Sequence, residues 1–191
     1  MKVEINGNIV EIINATNENV NEYLDFISSL SNDEDNYTLT RYSKIDKDKI
    51  LEWSKSWGNQ TTMILAQTNQ VVGFIQLIKG KYFGMERQFH VGEIAYAVRK
   101  DFRGKGLIYV IFNELLRAVD VKILTAWVDS RNIRSQRLLQ NLGFNRDCEV
   151  DSFMWSVKEK KFIDLIFYRS RTEKVVNEVK RQLEKFSLTI H

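Results

Sequence analysis

Val98-Arg99-Lys100-Asp101-Phe102-Arg103-Gly104-Lys105-Gly106-Leu107 joins two periodicities. Upstream, Val91 to Val98 alternates as a strand does. Downstream, Leu107, Ile111, Leu115 and Ala118 recur at helical spacing, with Ile108, Phe112 and Val119 beside them. Between lies a basic loop with two glycines. Such a turn suits a pyrophosphate: glycines let the backbone approach closely, successive N–H groups point at the anion, and the helix start adds partial positive charge. Arg103 and Lys105 add full charges. The loop therefore reads as the grip for a phosphorylated cofactor.

Working outward, Val3 to Ile13 reads as a hairpin around Asn6-Gly7-Asn8, and Asn17 to Leu30 as a helix with Val20, Tyr23, Leu24, Ile27 and Leu30 on one face. Ser31 to Ser43 is a polar, acidic loop. Asp46 to Trp57 is a second helix stopped at Gly58. Strands are expected at Thr61–Gln67, Val71–Ile78 and Phe89–Val98, then a helix at Gly104–Val119, a buried strand at Lys122–Val128 and a helix at Asn132–Leu142 closed by Gly143-Phe144. Asp147–Val157 and Phe162–Tyr168 form a hairpin. Ser170 and Glu173 have capping-box spacing ahead of a last amphipathic helix at about 171–187. The order ββ-αα-βββ-α-β-α-ββ-α describes one mixed α/β domain over residues 1–191.

The totals agree with a globular fold: 43% hydrophobic and 28% charged residues. No apolar run approaches the roughly 18 residues of a membrane span, and the first residues carry no apolar signal region, so no membrane role and a cytoplasmic location are expected. One cysteine, Cys148, rules out a disulfide within the chain and fits a reducing compartment; a buried strand thiol is the expected state. Two histidines and one cysteine make a His/Cys metal site unexpected. A net charge of +3 is too small to argue for nucleic acid. The basic residues Arg99, Lys100, Arg103, Lys105, Arg131, Arg134 and Arg137 gather around the proposed cofactor cleft, where one anion accounts for them.

Two segments together resemble the GNAT superfamily of acyl-CoA-dependent N-acetyltransferases. Arg103-Gly104-Lys105-Gly106-Leu107-Ile108 is similar to the family's Gln/Arg-x-x-Gly-x-Gly/Ala, and the strand, helix and Gly-Phe from Val128 through Asn132 and Ser135 to Gly143-Phe144 is similar to its second motif. Gly92 to Tyr96 resembles the branch with ribosomal-protein and small-amine N-acetyltransferases. The resemblance implies a mostly antiparallel central sheet with one splayed parallel strand pair and helices on both faces. It implies acetyl-CoA as co-substrate and no metal. Backbone near Ala97 and Val98 would pair with the pantetheine arm, amides from Arg103 to Leu107 would cradle the pyrophosphate, and Asn132 and Ser135 would face the cofactor. The family's last Gly/Ala is Ile108 here, which either crowds the phosphates or faces the core.

Acetyl transfer to an amine sets chemical demands. A lysine-like amine, pKa about 10.4, is free base in only about one molecule per thousand at pH 7.4, roughly 4 kcal/mol against the nucleophile. Expelling a thiolate of pKa about 8.5 costs only about 1.5 kcal/mol. A base therefore matters more than an acid. Glu93, on the strand leading to the loop, is the candidate base; His90 reads as surface. Many family members carry an acidic tyrosine where this chain has Leu139, leaving Tyr168 or Tyr96 as substitutes. The resemblance places the acceptor, a small-molecule or peptide amine, over the first two helices and the final hairpin. That brings Asp33, Glu34, Asp35, Tyr37 and Tyr42 to the mouth, suited to a cationic amine. Trp53 and Trp57 read as core. The last helix packs on its own domain or pairs with a second copy as a homodimer. A non-catalytic acyl-CoA-binding module is the alternative function.

Overall fold

Asn6 and Gly7 both take positive φ, 55° and 75°, the geometry of a two-residue hairpin turn whose twist matches its strands. They join β1 (Lys2–Ile5) to β2 (Asn8–Asn14). The computed structural model describes residues 1–30, 37, 46–156, 159–186 and 188. After α1 (Val20–Leu30) and α2 (Lys47–Ser54) come β3 (Thr61–Gln67) and β4 (Val71–Lys79), a short α3 (Met85–Gln88) that sequence reading missed, and β5 (Val91–Val98). Then follow α4 (Leu107–Ala118), β6 (Ile123–Asp129), α5 (Ile133–Asn141), β7 (Asn145–Ser156), β8 (Lys161–Arg171) and α6 (Thr172–Glu184).

The strands form one sheet in the order β1-β2-β3-β4-β5-β6-β8-β7. Every pair is antiparallel except β5 with β6. Alternation along each strand feeds two cores, one per face. On one side Tyr23, Phe26 and Ile27 of α1 and Trp57, just past α2, pack with Phe74 and Leu65. On the other, α4 presents Leu107, Ile111, Phe112 and Leu115, each 0% exposed. Burying each of these contributes about 1.5–3 kcal/mol, which fixes the start of α4, and hence the loop before it, to the sheet. α5 ends at Leu142 in a Schellman turn: Gly143 takes φ 80°, its amide donates to the Gln140 carbonyl and Phe144's to that of Leu139.

Two sequence expectations fail for reasons of packing. Ser170 does not cap the last helix. It is still in β8, opposite Leu124, and its hydroxyl donates to the Gly143 carbonyl at 2.9 Å, leaving Arg171 at the N-cap without a side-chain bond. Cys148 is exposed, not buried, because β7 is the outermost strand of the sheet. The last helix packs on its own domain: Val175 and Val179 are fully buried and α6 lies against α4 and β8.

Candidate functional site

The parallel pair is short. β5 and β6 are in register only over Val91↔Ile123, Gly92↔Leu124 and Glu93↔Thr125. Beyond that point each strand keeps its other neighbour: β5 stays on β4 through Val98↔Gly73, and β6 stays on β8 through Asp129↔Leu165. The facing edges therefore part, and their peptide groups lose ladder partners that a ligand can replace. The opening is part of a cavity of about 1110 Å³ running from the loop before α4 to the face covered by α1 and α2.

At one end sits that loop. Gly104 and Gly106 take φ 74° and 84°, conformations open to glycine. Among the described residues no backbone acceptor takes the amides of Gly104, Lys105, Gly106, Leu107 or Ile108, as expected of the N–H groups that open a helix. Lys100, Arg103, Arg134 and Arg137 line the same region. This cationic nest fits a diphosphate. Two expected details change. The Arg103 Nε–H donates to the Val98 carbonyl at 2.7 Å, so that carbonyl is already taken; the Lys105 ammonium donates to the Asp101 carbonyl at 2.7 Å, and Lys105 does not line the cleft. Leu107 and Ala97 are buried in the wall; Ile108 is half-buried, packing on the core while lining the cleft. Phe186, beyond α6, stands against Gly106 and 5.5 Å from the Tyr109 ring. No local motif marks it, because its role depends on where α6 docks.

At the other end Glu93, 9% exposed, faces the α1 and α2 side. The Lys81 ammonium donates to one carboxylate oxygen and the Tyr82 hydroxyl to the other. The Trp127 indole N–H donates to the Tyr82 oxygen at 2.7 Å. Burial pushes the Glu93 carboxyl above the ordinary carboxylate range, and its bond and attraction to Lys81 pull back only in part. Lys81 and Tyr82 lie in the β4–β5 connection and Trp127 on β6, so only tertiary structure brings them to Glu93.

Between the ends, Asn132 and Ser135 line the cleft as expected, but the Asn132 side-chain oxygen accepts the Ser135 amide at 3.1 Å as the cap of α5, leaving its NH2 for a ligand. The Tyr96 hydroxyl lies 2.5 Å from Ser135 Oγ, and burial pushes its ionisation upward, so it stays a neutral phenol. Tyr168, by contrast, is 0% exposed in the α4-side core and does not line the cleft. Leu139, in the position of the missing tyrosine, is likewise core. Trp57 is core as expected, while Trp53 reaches the cleft. His90 lies outside it. Tyr37 lines the mouth, 5.2 Å below the Arg131 guanidinium. Asp33, Glu34, Asp35 and Tyr42 fall outside the described residues.

The strand-to-helix corner that delivers Asn132 is fastened by Asp129, 3% exposed. Its carboxylate accepts the Arg131 amide at 2.9 Å and the guanidinium at 2.9 and 2.6 Å. These bonds, with a weaker pull from Glu159, hold the Arg131 guanidinium further from deprotonation than usual. Asp129→Asn is expected to cost about 1.5–3 kcal/mol, the range for bonds to a charged group, as a lower urea midpoint; an unchanged midpoint would show that the corner stands without it.

A model for the acetyltransferase (GNAT) family matches residues 24–144. The chain belongs to the GNAT acetyltransferase family, and acetyl transfer is the activity its cleft has to explain. No curated protein matches it in sequence. Solved structures share its fold. A GNAT-family acetyltransferase from Streptococcus pneumoniae superposes with a TM-score of 0.71 at 18% identity, covering 85% of this chain and 99% of that one. Ribosomal-protein-alanine N-acetyltransferase from Brucella melitensis gives 0.69 at 20%, over 84% and 99%. A phosphinothricin acetyltransferase from Sinorhizobium meliloti, solved with acetyl-CoA, gives 0.67 at 16%, over 85% and 88%. Among the described residues no helix is long and apolar enough to cross a membrane, and no cluster of His, Cys, Asp or Glu is suited to a metal ion.

Proposed function

We propose that the chain transfers the acetyl group of acetyl-CoA to a primary amine by direct attack while both substrates are bound. The observation that carries this reading is the continuity of one cleft, from five loop amides that meet no backbone acceptor among the described residues, through a parted strand pair, to a buried carboxylate. Acetyl-CoA supplies an activated acyl group when bound. The solved phosphinothricin acetyltransferase of the same fold holds acetyl-CoA, which supports that donor here.

The loop amides and Arg103 hold the diphosphate, and Asn132 Nδ2 and the freed β5 backbone face the pantetheine arm. Glu93 takes a proton from the incoming ammonium, releasing the lone pair that attacks. Its raised pKa, set by burial, narrows the gap to the amine, while the bond and attraction to Lys81 favour the ionised form that accepts the proton. The amine nitrogen bonds to the acyl carbon, the C–S bond breaks with its electron pair going to sulfur, and the nitrogen sheds its second proton as the sulfur leaves. Tyr96 and Ser135 offer the hydroxyl donors that the position of Leu139 lacks. The products are an amide, free thiol and one net proton.

Acetyl-CoA at about a hundred times its Kd is expected to stabilise the fold by roughly 2.7 kcal/mol, read as a rise in Tm. With an amine present it is expected to release thiol. No rise in Tm removes the donor site; a rise without thiol release for any amine turns the chain into an acyl-CoA-binding module.

A further inference from the structure

The acceptor end of the cleft carries aromatic surface that folding does not require. Tyr82 is 47% and Phe153 57% exposed, yet both line it. Phe153 is put there by a built irregularity. The β7–β8 register passes from Val150↔Leu165 to Met154↔Ile163, so Asp151, Ser152 and Phe153 together stand opposite Asp164. Ser152 turns to φ 53°, in the left-handed region, and its amide donates to Asp164 Oδ1 at 2.8 Å. The Asp164 carbonyl in turn accepts the Ser130 amide at 3.0 Å. Bulges beside active sites re-aim a side chain, and this one lays the Phe153 ring on Trp127, centroids 5.1 Å apart and planes within 18°.

Trp127 bonds Tyr82, and Tyr82 bonds Glu93. The aromatic wall therefore starts at Tyr82, one hydrogen bond from the carboxylate, and continues to Trp127, two away. Among the described residues lining the cavity Glu93 is the only carboxylate, and Lys81 already faces it. Among the described residues, a second ammonium on the substrate would meet Lys81 and no further carboxylate.

We infer that the acceptor is a monoamine whose nitrogen is joined by a short linker to a flat aromatic ring, with the ring lying on Phe153 and Tyr82 while the nitrogen reaches Glu93. This rests on the amine-acetylation reading above. The bond changes are those already written; only the group carried by the nitrogen is specified.

The test is thiol release from acetyl-CoA with 2-phenylethylamine, hexylamine, spermidine and an alanine-starting tetrapeptide, using the full chain and Phe153→Ala. Phe153 is exposed, and an unchanged Tm verifies that the variant is folded. The expected result is a kcat/KM for 2-phenylethylamine about tenfold or more above the other three, from stacking plus buried ring area. Phe153→Ala is expected to remove most of that margin while changing hexylamine by less than about threefold. Preference for any of the other three, or equal losses for all in Phe153→Ala, overturns the inference and leaves amine acetylation standing. Absence of turnover with every amine, with acetyl-CoA still raising Tm, overturns the amine-acetylation reading itself and this inference with it.

Discussion

Glu93→Gln is expected to lower kcat/KM by about 10²–10⁴, the span general-base removal commonly takes away. The substitution preserves size and both polar positions, so Tyr82 and Trp127 keep a partner and the wall of the cleft stays in place. Only the ability to accept a proton is lost. The fold should tolerate it. Burial disfavours the ionised Glu93, and Lys81, whose side chain is 43% exposed, returns to water when its partner becomes neutral. An unchanged Tm beside a collapsed kcat/KM is the expected pair of results.

The pH profile separates a base from a mere hydrogen-bond acceptor. The folded Glu93 carboxyl titrates above the ordinary range because burial outweighs Lys81. A base works only when deprotonated, so kcat/KM is expected to fall as pH drops through that raised pKa, and this acid limb should vanish in Glu93→Gln. The linkage to stability has the opposite sign: a pKa higher in the folded than the unfolded state means the folded chain binds the proton more tightly, so the Glu93 contribution declines as pH rises through that window. Rate and stability should therefore move in opposite directions across it. A parent-like pH profile in Glu93→Gln would end the assignment.

What the sequence discloses here is local. Asn6-Gly7 predicts a hairpin because positive φ at two successive residues is a local steric matter. Gly104 and Gly106 announce the loop for the same reason, and the apolar spacing from Leu107 to Leu115 announces the helix behind it. The Glu93 position was legible through its strand. Its partners were not: Lys81, Tyr82 and Trp127 come from two other segments, and their meeting is decided by strand order and by where β5 leaves β6. Ser170 illustrates the same limit in reverse. Its spacing to Glu173 suits a cap, but the residue belongs to β8 until Arg171, and a sheet partner outranks a helix cap. The Phe153 bulge escaped because a register shift between β7 and β8 leaves no mark in either strand alone.

Gly106→Ala is expected to damage the donor half of the cleft twice over. Gly106 is the N-cap of α4 at φ 84°, a conformation that costs a residue with a Cβ roughly 1–2 kcal/mol. The new Cβ would also lie 2.8 Å from Phe186 Cγ and 3.1 Å from Phe186 Cβ. Those atoms sit close to the α6 backbone, so a side-chain rotation does not relieve them; either the end of α6 or the loop must shift. The strain alone corresponds to a Tm lower by roughly 2–8 °C for a chain of this size. A shifted loop no longer aims its amides together, so the stabilisation by acetyl-CoA should shrink as well. Gly106→Ala combined with Phe186→Ala, set against Phe186→Ala alone, separates the causes: removing the ring should recover most of the steric share of the Tm loss, the Phe186 Cβ contact remaining, and leave the φ share. If Gly106→Ala kept both the parent Tm and the full response to acetyl-CoA, the amides of this loop would not be the anchor for the diphosphate.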